Sequence, residues 1–546
     1  MKIVIVGGVA GGMSAATRLR RRDETAHIVV FERGDHVSFA NCGLPYFIGG
    51  VIEARQDLLL HTPESLAARF ALDVRVRNEV SAIDPGTKTV TVREGKGRVY
   101  TETYDHLVLS PGASPIVPPL PGIERALTLR NIADVDAMAS ALDQDPRSAA
   151  VIGAGFIGLE LAENLHRRGL DVTVVEASDQ VMPPLDAEMA AQIADELTAN
   201  GIDLRLGTQA TAVGPDTVTL SDGSVVRADI VVLAVGVRPE TTLAKAGGLA
   251  LGPHGGIAVD GQLRTSDPSI YALGDAVEKY DALDHSDLLV PLANTANRQG
   301  RLVADVIVGD DVHDREVLGT AIVGVFGKSV AMTGWSEKRL RAAGRSYRAI
   351  HIHPDSHAGY YPGADAMSMK LLVDTTTDAI LGAQGVGGEG VDKRIDVIAT
   401  AMTGGITASG LADLELSYAP QFGSAKDPIN MLGFIADNLR RGVAATVQWH
   451  ELASLVAEGA QLVDVRSKAE HVVAAIPGAV NIPVDELRER LSELPAGQLI
   501  VHCRVGQRGH TAASILGQLG RQAHNLDGGI RTWHSGMSAK TNKGKS

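Results

Sequence analysis

Two stretches, "KIVIVGGVAGGMSAATRLRRR" from Lys2 and "SAAVIGAGFIGLELAENLHRRG" from Ser148, constrain this chain more than any other feature of it. Each reads as a buried strand of Val and Ile, a glycine turn, and a helix. Each is followed by another apolar strand ending in an acid, Glu32 in "HIVVFERG" and Glu176 in "DVTVVEAS". The acids come 20 residues after Gly12 and 18 after Gly158, close to the spacing of a βαβ nucleotide fold. Glycine permits the tight turn and lets backbone approach a pyrophosphate, which the free N–H groups of the first helical turn stabilise. The acid accepts hydrogen bonds from a ribose. The second copy carries the full G-x-G-x-x-G as Gly153, Gly155 and Gly158. The first keeps Gly7 and Gly12 at the outer positions, with Val9 in the middle and Ala10 and Gly11 completing the turn.

A further segment names the first nucleotide. "TSDPSIYALGDA" sets Gly274 and Asp275 after an apolar strand, where an Asp binds the ribityl hydroxyls of a flavin and the following helix start faces its phosphate. The expectation is FAD on the first fold and a nicotinamide nucleotide on the second. "LVLSPGASP" and "IVVLAVGVRPE" read as the strands and glycine turns that cross between the two domains.

Beyond residue 320 the character changes. "GTAIVGVFGKSVAMTGWSE", "AMSMKLLVDTTTDAILGAQGVG" and "GVDKRIDVIATAMTGG" alternate strands with a helix, as in an α+β domain. "LGFIADNLRRGVAATVQWHEL" reads as a connector. A last unit holds strand "AQLVDVRS", turn "IPGAVNIP", strand "QLIVHC", a helix and "LDGGIRTWHSG", before a lysine-rich polar end read as disordered. The 546 residues would divide into three or four domains at about 150 residues each.

Composition excludes several classes. A net charge of −14 argues against a general nucleic-acid or membrane-surface binder, because phosphates would be repelled. No apolar run reaches the roughly 18 residues of a membrane span, and "MKIVIVGG" opens on a strand rather than a secretory signal. Two cysteines, Cys42 in "SFANCGLPYFIGG" and Cys503 in "VHCRVGQRGHTAA", make no disulfide framework, so a reducing, cytoplasmic setting is expected. "HIHPDSH" (His351, His353, His357) tempts a metal reading, but alternation at 351 and 353 is a strand pattern and no metal is expected.

Residues 1–435 resemble the single-cysteine pyridine nucleotide–disulfide oxidoreductases, especially the coenzyme A disulfide reductases. The resemblance rests on "GGVAGGMSAATRLRR", "SFANCGLPYFIGG", "HAGYYPGA" and "LSYAPQFGSAKDPIN". Residues from about 446 to 538 look like a rhodanese domain, so the whole is similar to fusions that include NADH-dependent persulfide and polysulfide reductases. The implied fold is α/β, with two Rossmann-like domains, an α+β dimerisation domain and a C-terminal rhodanese domain. The expected limits are 1–115 with 250–320 for FAD, 116–249 for NAD, 321–435 for dimerisation, 446–538 for rhodanese and 539–546 for the tail.

The resemblance also implies roles. Where commoner relatives carry a second cysteine five positions on, this chain has Phe47, so Cys42 must pair with an external sulfur or oxygen. Its turn opens a helix, whose N-terminus would favour thiolate. The implied partner is coenzyme A, held by positions matching Ser14, Arg18, Arg21, Ser38 and Asn41, with Arg298 and Lys426 as weaker candidates. Arg18, Arg21 and Arg22 fall at i, i+3 and i+4, a face suited to the phosphates of 3′-phospho-ADP. Tyr360 and Tyr418, with Tyr361 adjoining, match tyrosines that reach the thiol site from a partner subunit, which makes the enzyme a homodimer. Further expected FAD contacts are Arg33, Asn41, Val80, Ser110 and Ala293; Ile157, Glu160 and Gly236 join the NAD set. Glu176 would disfavour a 2′-phosphate, and so NADPH.

In the last unit Cys503, Arg504, Val505, Gly506, Gln507 and Arg508 read as a six-residue loop between strand and helix. Successive N–H groups form an anion cradle, and the two arginines strengthen it, so Cys503 is expected as a depressed-pKa carrier of persulfide. The reading is an NADH-dependent, flavin-containing reductase of small sulfur substrates. Its rivals are a flavin NADH oxidase or peroxidase cycling Cys42 through sulfenic acid, and a sulfur carrier or redox sensor with little turnover.

Overall fold

The computed structural model describes residues 1–543. It divides into two compact units, Met1–Val175 with Gln209–Gly319, and Glu176–Thr208 with the chain from Thr320 onward. Among the described residues no helix is long and apolar enough to cross a membrane.

Uninterrupted apolar strands build the first unit, as sheets buried on both faces require. Ile270–Ala272, His106–Leu109, Lys2–Val6, His27–Phe31 and Asp73–Arg75 lie side by side, all parallel. Strand alternation then sorts the layers. Ile3 and Ile5 pack with the helices Ala10–Arg22 and Ala293–Ile307. Val4 faces the antiparallel sheet of Asn78–Asp84, Thr89–Glu94 and Val99–Thr103. A second parallel set joins Asp171–Val175, Ser148–Ile152 and Ile230–Leu233, with the helix Phe156–Arg167 following its glycine turn. The two crossing segments meet as the antiparallel pair Ala113–Pro115 and Val237–Pro239.

The turns of the two nucleotide folds are near copies. Gly7 and Gly153 have φ of +102° and +107°, where a side chain would strain the backbone. A Cβ on Gly12 would lie 1.9 Å from the Gly7 carbonyl oxygen, and one on Gly158 would lie 2.0 Å from that of Gly153. The outer glycines therefore serve helix–strand packing.

The second unit contains a five-stranded antiparallel sheet in the order Ala321–Val325, Lys328–Gly334, Ile380–Gly387, Met367–Asp374, Tyr347–Ile352. Met367, Met369, Leu371 and Val373 face the helices Val391–Thr403 and Pro428–Arg440. The alternate residues Ser368 and Lys370 are also fully buried, because the helix Ala187–Ala199 packs on that side. Glu176–Thr208, expected within the NAD domain, thus groups with this unit by its contacts. The C-terminal sheet is parallel, in the order Thr446–Val447, Ala523–Leu526, Leu499–His502, Gln461–Asp464, Val480–Asn481.

Three expectations need correction. The first part of the connector is the end of a core helix, since Ile429, Leu432 and Ala436 recur at helical spacing and are buried. The terminal helix runs Gly529–Lys543, so the expected tail is helical as far as Lys543, while 544–546 lie outside the described residues. Extending a helix already nucleated adds one hydrogen bond per residue fixed, which polar residues tolerate. After Asp275 no helix starts directly: a short turn and the pair Lys279–Tyr280 with Asp287–Leu288 precede the helix at Ala293.

Candidate active sites

Cys42 sits in the turn Asn41–Gly43, immediately before the short helix Leu44–Ile48. That helix packs on Phe156–Arg167, the helix of the second nucleotide fold, closely enough that a Cβ on Gly49 would lie 1.9 Å from Asn164 Oδ1. Tyr46, four residues after Cys42, donates from Oη to Glu160 Oε1 at 2.9 Å. The thiol is solvent-accessible and donates to Asn41 Oδ1 at 3.9 Å. Crowding by surrounding chain and the charges of Glu160 and Asp275 push it above the ordinary thiol range. The expected stabilisation by a helix N-terminus is outweighed: the helix has five residues and two carboxylates oppose it. Burial raises Glu160 as well, with Tyr46 opposing and Glu163 reinforcing the shift. Sequence reading placed Glu160 with NAD and passed over Tyr46; the signal was its place in "NCGLPYF".

The residues of the first nucleotide fold fit a flavin dinucleotide. Asp275 Oδ1 is buried with no hydrogen-bond partner, an acceptor that ribityl hydroxyls would satisfy. Gly274, at φ +80°, donates its N–H to Gln299 Oε1. Glu32 accepts from the Gly8 and Gly34 amides at 2.9 and 2.7 Å, which fixes its carboxylate at the strand end. Ser110 donates its N–H to the Val6 carbonyl and its hydroxyl lies beside Gly11, Val80 is buried, Ala293 opens its helix, and Arg33 is exposed. In the second fold a Cβ on Gly155 would meet nothing within 4 Å, the open space a pyrophosphate needs. Ile157 is exposed, and Gly236, at φ +109°, accepts the Ile116 N–H in the crossing region. Glu176 Oε1 accepts from both the N–H and the hydroxyl of Ser178 at 2.8 Å.

The three arginines do not present one free face. Arg18 reaches Asp305 at 2.8 and 3.2 Å. Arg22 meets Asp305 at 2.7 Å and Asp310 at 2.6 and 3.0 Å. Arg21 lies over the Phe70 ring at 5.4 Å. Ser14 donates to Asn297 at 2.5 Å, Ser38 holds a left-handed φ of +49°, and Arg298 donates to the Arg315 carbonyl. In the second unit Tyr360 and Tyr418 share a hydrogen bond of 3.0 Å and are exposed, Tyr360 at 76%. Tyr361 meets the His357 ring edge-on, and Lys426 is exposed.

Cys503 contrasts with Cys42. Its side chain is fully buried at the end of strand Leu499–His502, and the Gly506 N–H points at Sγ from 3.2 Å. Gly506 takes φ +94° and caps the helix Gln507–Gln518, so the expected loop ends at Gly506, and Gln507 and Arg508 are already helical. Beneath it the Ile530 and Arg531 N–H groups bond the Cys503 and Arg504 carbonyls at 2.9 and 3.1 Å. Arg508 is held by Glu470 through two bonds of 2.7 Å, which drops Glu470 to about 2 and offsets part of the arginine's field at the thiol. Val505 is half-buried; Arg504 is exposed and pairs with no carboxylate among the described residues.

Where the described residues bring three acids within metal-binding reach, at Asp186, Glu188 and Glu337, the cation is Lys370. Its ammonium lies 2.9 Å from Asp186 and 2.5 Å from Glu188 and also bonds Glu337.

The pyridine nucleotide-disulphide oxidoreductase profile matches residues 1–300, its dimerisation domain 320–427, and a rhodanese-like domain 448–536. The coenzyme A disulfide reductase of Staphylococcus aureus is 38% identical over 442 residues, which cover 80% of this chain and 99% of that protein. The crystal structure of reduced Bacillus anthracis CoADR-RHD superposes with a TM-score of 0.97 at 48% identity, covering 98% of both chains. An NAD-dependent persulfide reductase from A. fulgidus gives 0.92 at 36% identity, over 98% of this chain and 100% of that one. With its twin nucleotide folds, its dimerisation domain and a fused rhodanese-like domain, the chain belongs to the pyridine nucleotide-disulphide oxidoreductase family.

Proposed function

We propose that the protein is an NADH-dependent reductase of coenzyme A disulfide, coenzyme A persulfide or polysulfide, acting through Cys42, with Cys503 delivering sulfane sulfur. One observation carries this reading. The accessible thiol, with Phe47 where a resolving cysteine would stand, opens a helix packed directly on the helix of the second nucleotide fold. Asp275 and Glu32 would hold the flavin, which would supply two-electron transfer from a nicotinamide to a neighbouring sulfur.

The chain's own residues do the rest. Cys42 attacks one sulfur of the substrate's sulfur–sulfur bond, which breaks and releases a thiol. The mixed disulfide or persulfide left on Cys42 is then cleaved by the two electrons of NADH, releasing the second thiol or hydrogen sulfide and restoring the cysteine. Glu160, with its proton affinity raised by burial and its carboxylate held by Tyr46, is the proposed donor of the proton that the departing thiolate takes up. For a disulfide the sum is NADH, a proton and coenzyme A disulfide giving NAD⁺ and two thiols; a persulfide gives one thiol and hydrogen sulfide. Glu176 selects NADH by like-charge repulsion of a 2′-phosphate. Arg21, Ser38 and Asn41 remain open to coenzyme A, whereas Arg18 and Arg22 would first have to exchange their carboxylate partners. A homodimer is supported by the dimerisation-domain match and by the exposed Tyr360–Tyr418 pair.

The test is anaerobic NADH oxidation with each acceptor, for wild type, Cys42→Ser and Cys503→Ser. Oxidation that proceeds faster with oxygen or peroxide than with every sulfur acceptor would replace this reading.

A further inference from the structure

"HIHPDSH" resolves into a link between two parts of the second unit. His351 is buried on the strand Tyr347–Ile352 with both ring nitrogens engaged. Nδ1 lies 2.7 Å from Asp527 Oδ2, and Nε2 lies 3.1 Å from Glu188 Oε1. The His351 backbone N–H bonds the same Asp527 carboxylate at 3.0 Å, and Gln448 Nε2 donates to it at 3.2 Å. A neutral imidazole donates from one nitrogen only, and an ionised carboxylate only accepts, so carboxylates at both nitrogens require the imidazolium.

Asp527 is not a remote surface acid. It begins the turn Asp527–Gly528–Gly529, and the next two residues make the Ile530 and Arg531 bonds beneath Cys503 and Arg504. The turn is seated tightly at both ends. A Cβ on Gly528 would lie 2.9 Å from His351 Cβ, and one on Gly529 would lie 2.5 Å from the Cys503 carbonyl oxygen. His353 continues the seam, with Nε2 2.7 Å from Thr532 Oγ1 and Nδ1 2.9 Å from Ser368 Oγ.

We propose that His351, clamped as an imidazolium between Glu188 and Asp527, is a positioning residue for sulfur transfer at Cys503. It anchors the turn that floors the cysteine's loop, and so sets the direction of the N–H groups that receive an anionic sulfur. The inference rests on Cys503 being the sulfur carrier. Nothing in it requires His351 to touch substrate.

The charged surroundings set the sign of its pH dependence. Burial alone would push His351 down, but Asp527 and Glu188 overturn that and raise it to about 9. The other charge facing it is the Lys370 ammonium, its register partner on the neighbouring strand, with Asp186 and Glu337 around that ammonium; His353 is kept neutral by burial, with Arg531, His351 and Arg504 adding to the downward push. A group with a raised folded pKa holds its contacts below that value and loses them as pH rises through it. The anchor is therefore intact at neutral pH and released in alkali.

The experiment uses full-length, flavin-loaded enzyme and two assays over a range of about pH 6 to 10. One is sulfur transfer from thiosulfate to cyanide, giving sulfite and thiocyanate; the other is anaerobic NADH oxidation by coenzyme A disulfide. Wild-type transfer is expected to fall along an alkaline limb near the His351 titration. His351→Gln and Asp527→Asn should each cut neutral-pH transfer roughly tenfold or more and abolish that limb, with NADH oxidation within about twofold. His351→Asn, which keeps a donor toward Asp527, should restore part of the rate. A variant that folds and transfers sulfur with the wild-type rate and profile overturns the assignment. If the variants do not fold, a wild-type profile without the limb overturns it equally. Transfer that survives Cys503→Ser removes the carrier reading, and the inference with it.

Discussion

The two cysteines occupy opposite electrostatic settings. Cys42 is accessible, lies near two carboxylates and is pushed toward the thiol form by the protein alone. Cys503 is fully buried, yet the Gly506 N–H points at its sulfur and a helix starts at the next residue. Under the proposed function, a bound flavin or thiol cofactor would have to offset that push at Cys42 before its sulfur acts as a nucleophile. The second cysteine already has a donor of its own backbone aimed at the sulfur. Burial, by itself, says little about a cysteine's reactivity; the polarity aimed at the sulfur decides it.

The largest expected effect separates the two sites outright. Cys42→Ser should lower NADH oxidation by coenzyme A disulfide about 10³-fold or more, while Cys503→Ser leaves it within about twofold and abolishes thiosulfate–cyanide transfer. Equal losses in both assays for either variant would mean that the sites are not separable. Next comes Gly158→Val, whose side chain would press on the Gly153 carbonyl oxygen 2.0 Å from the Cβ. It should raise KM for NADH roughly tenfold or more, leaving thiocyanate formation unchanged.

Glu470→Gln removes the partner of Arg508 at the rhodanese loop. Glu470 is depressed to about 2, so the pair is complete above the ordinary carboxylate range and lost as pH falls toward that value. Sulfur transfer should drop several-fold (about threefold to tenfold) at neutral pH and lose any acid-side dependence on this pair. The smallest effect is expected at Glu160→Gln. Removing that charge should move the pH profile of Cys42 alkylation in flavin-free protein downward, by about half a pH unit. An upward or absent shift would show that Glu160 does not reach the thiol.

Much of the fold was legible because its signals are local. The strand "KIVIV", the turn glycines and the acids at Glu32 and Glu176 follow one another within a single βαβ unit. Backbone strain at Gly7 and Gly153 is a property of the turn itself. The partners of the arginine face were hidden for the opposite reason. Its periodicity was real, but Asp305 and Asp310, which neutralise Arg18 and Arg22, lie more than 280 residues away. Likewise nothing near "HIHPDSH" announces Asp527, which is 176 residues off. The polar end was misjudged because composition measures what a segment can bury, not whether a helix already formed will extend through it.

The sequence by itself determined that two nucleotide folds, an α+β domain and a cysteine-bearing α/β unit follow one another, because each depends on neighbours a few residues apart. Only the tertiary structure decided which charges are satisfied and by whom: Tyr46 on Glu160, Asp305 on the arginines, Lys370 among three acids, and His351 between Glu188 and Asp527. The reason is physical. A buried charge must find its partner wherever the fold brings one, and the resulting pKa belongs to the assembled surroundings rather than to the residue.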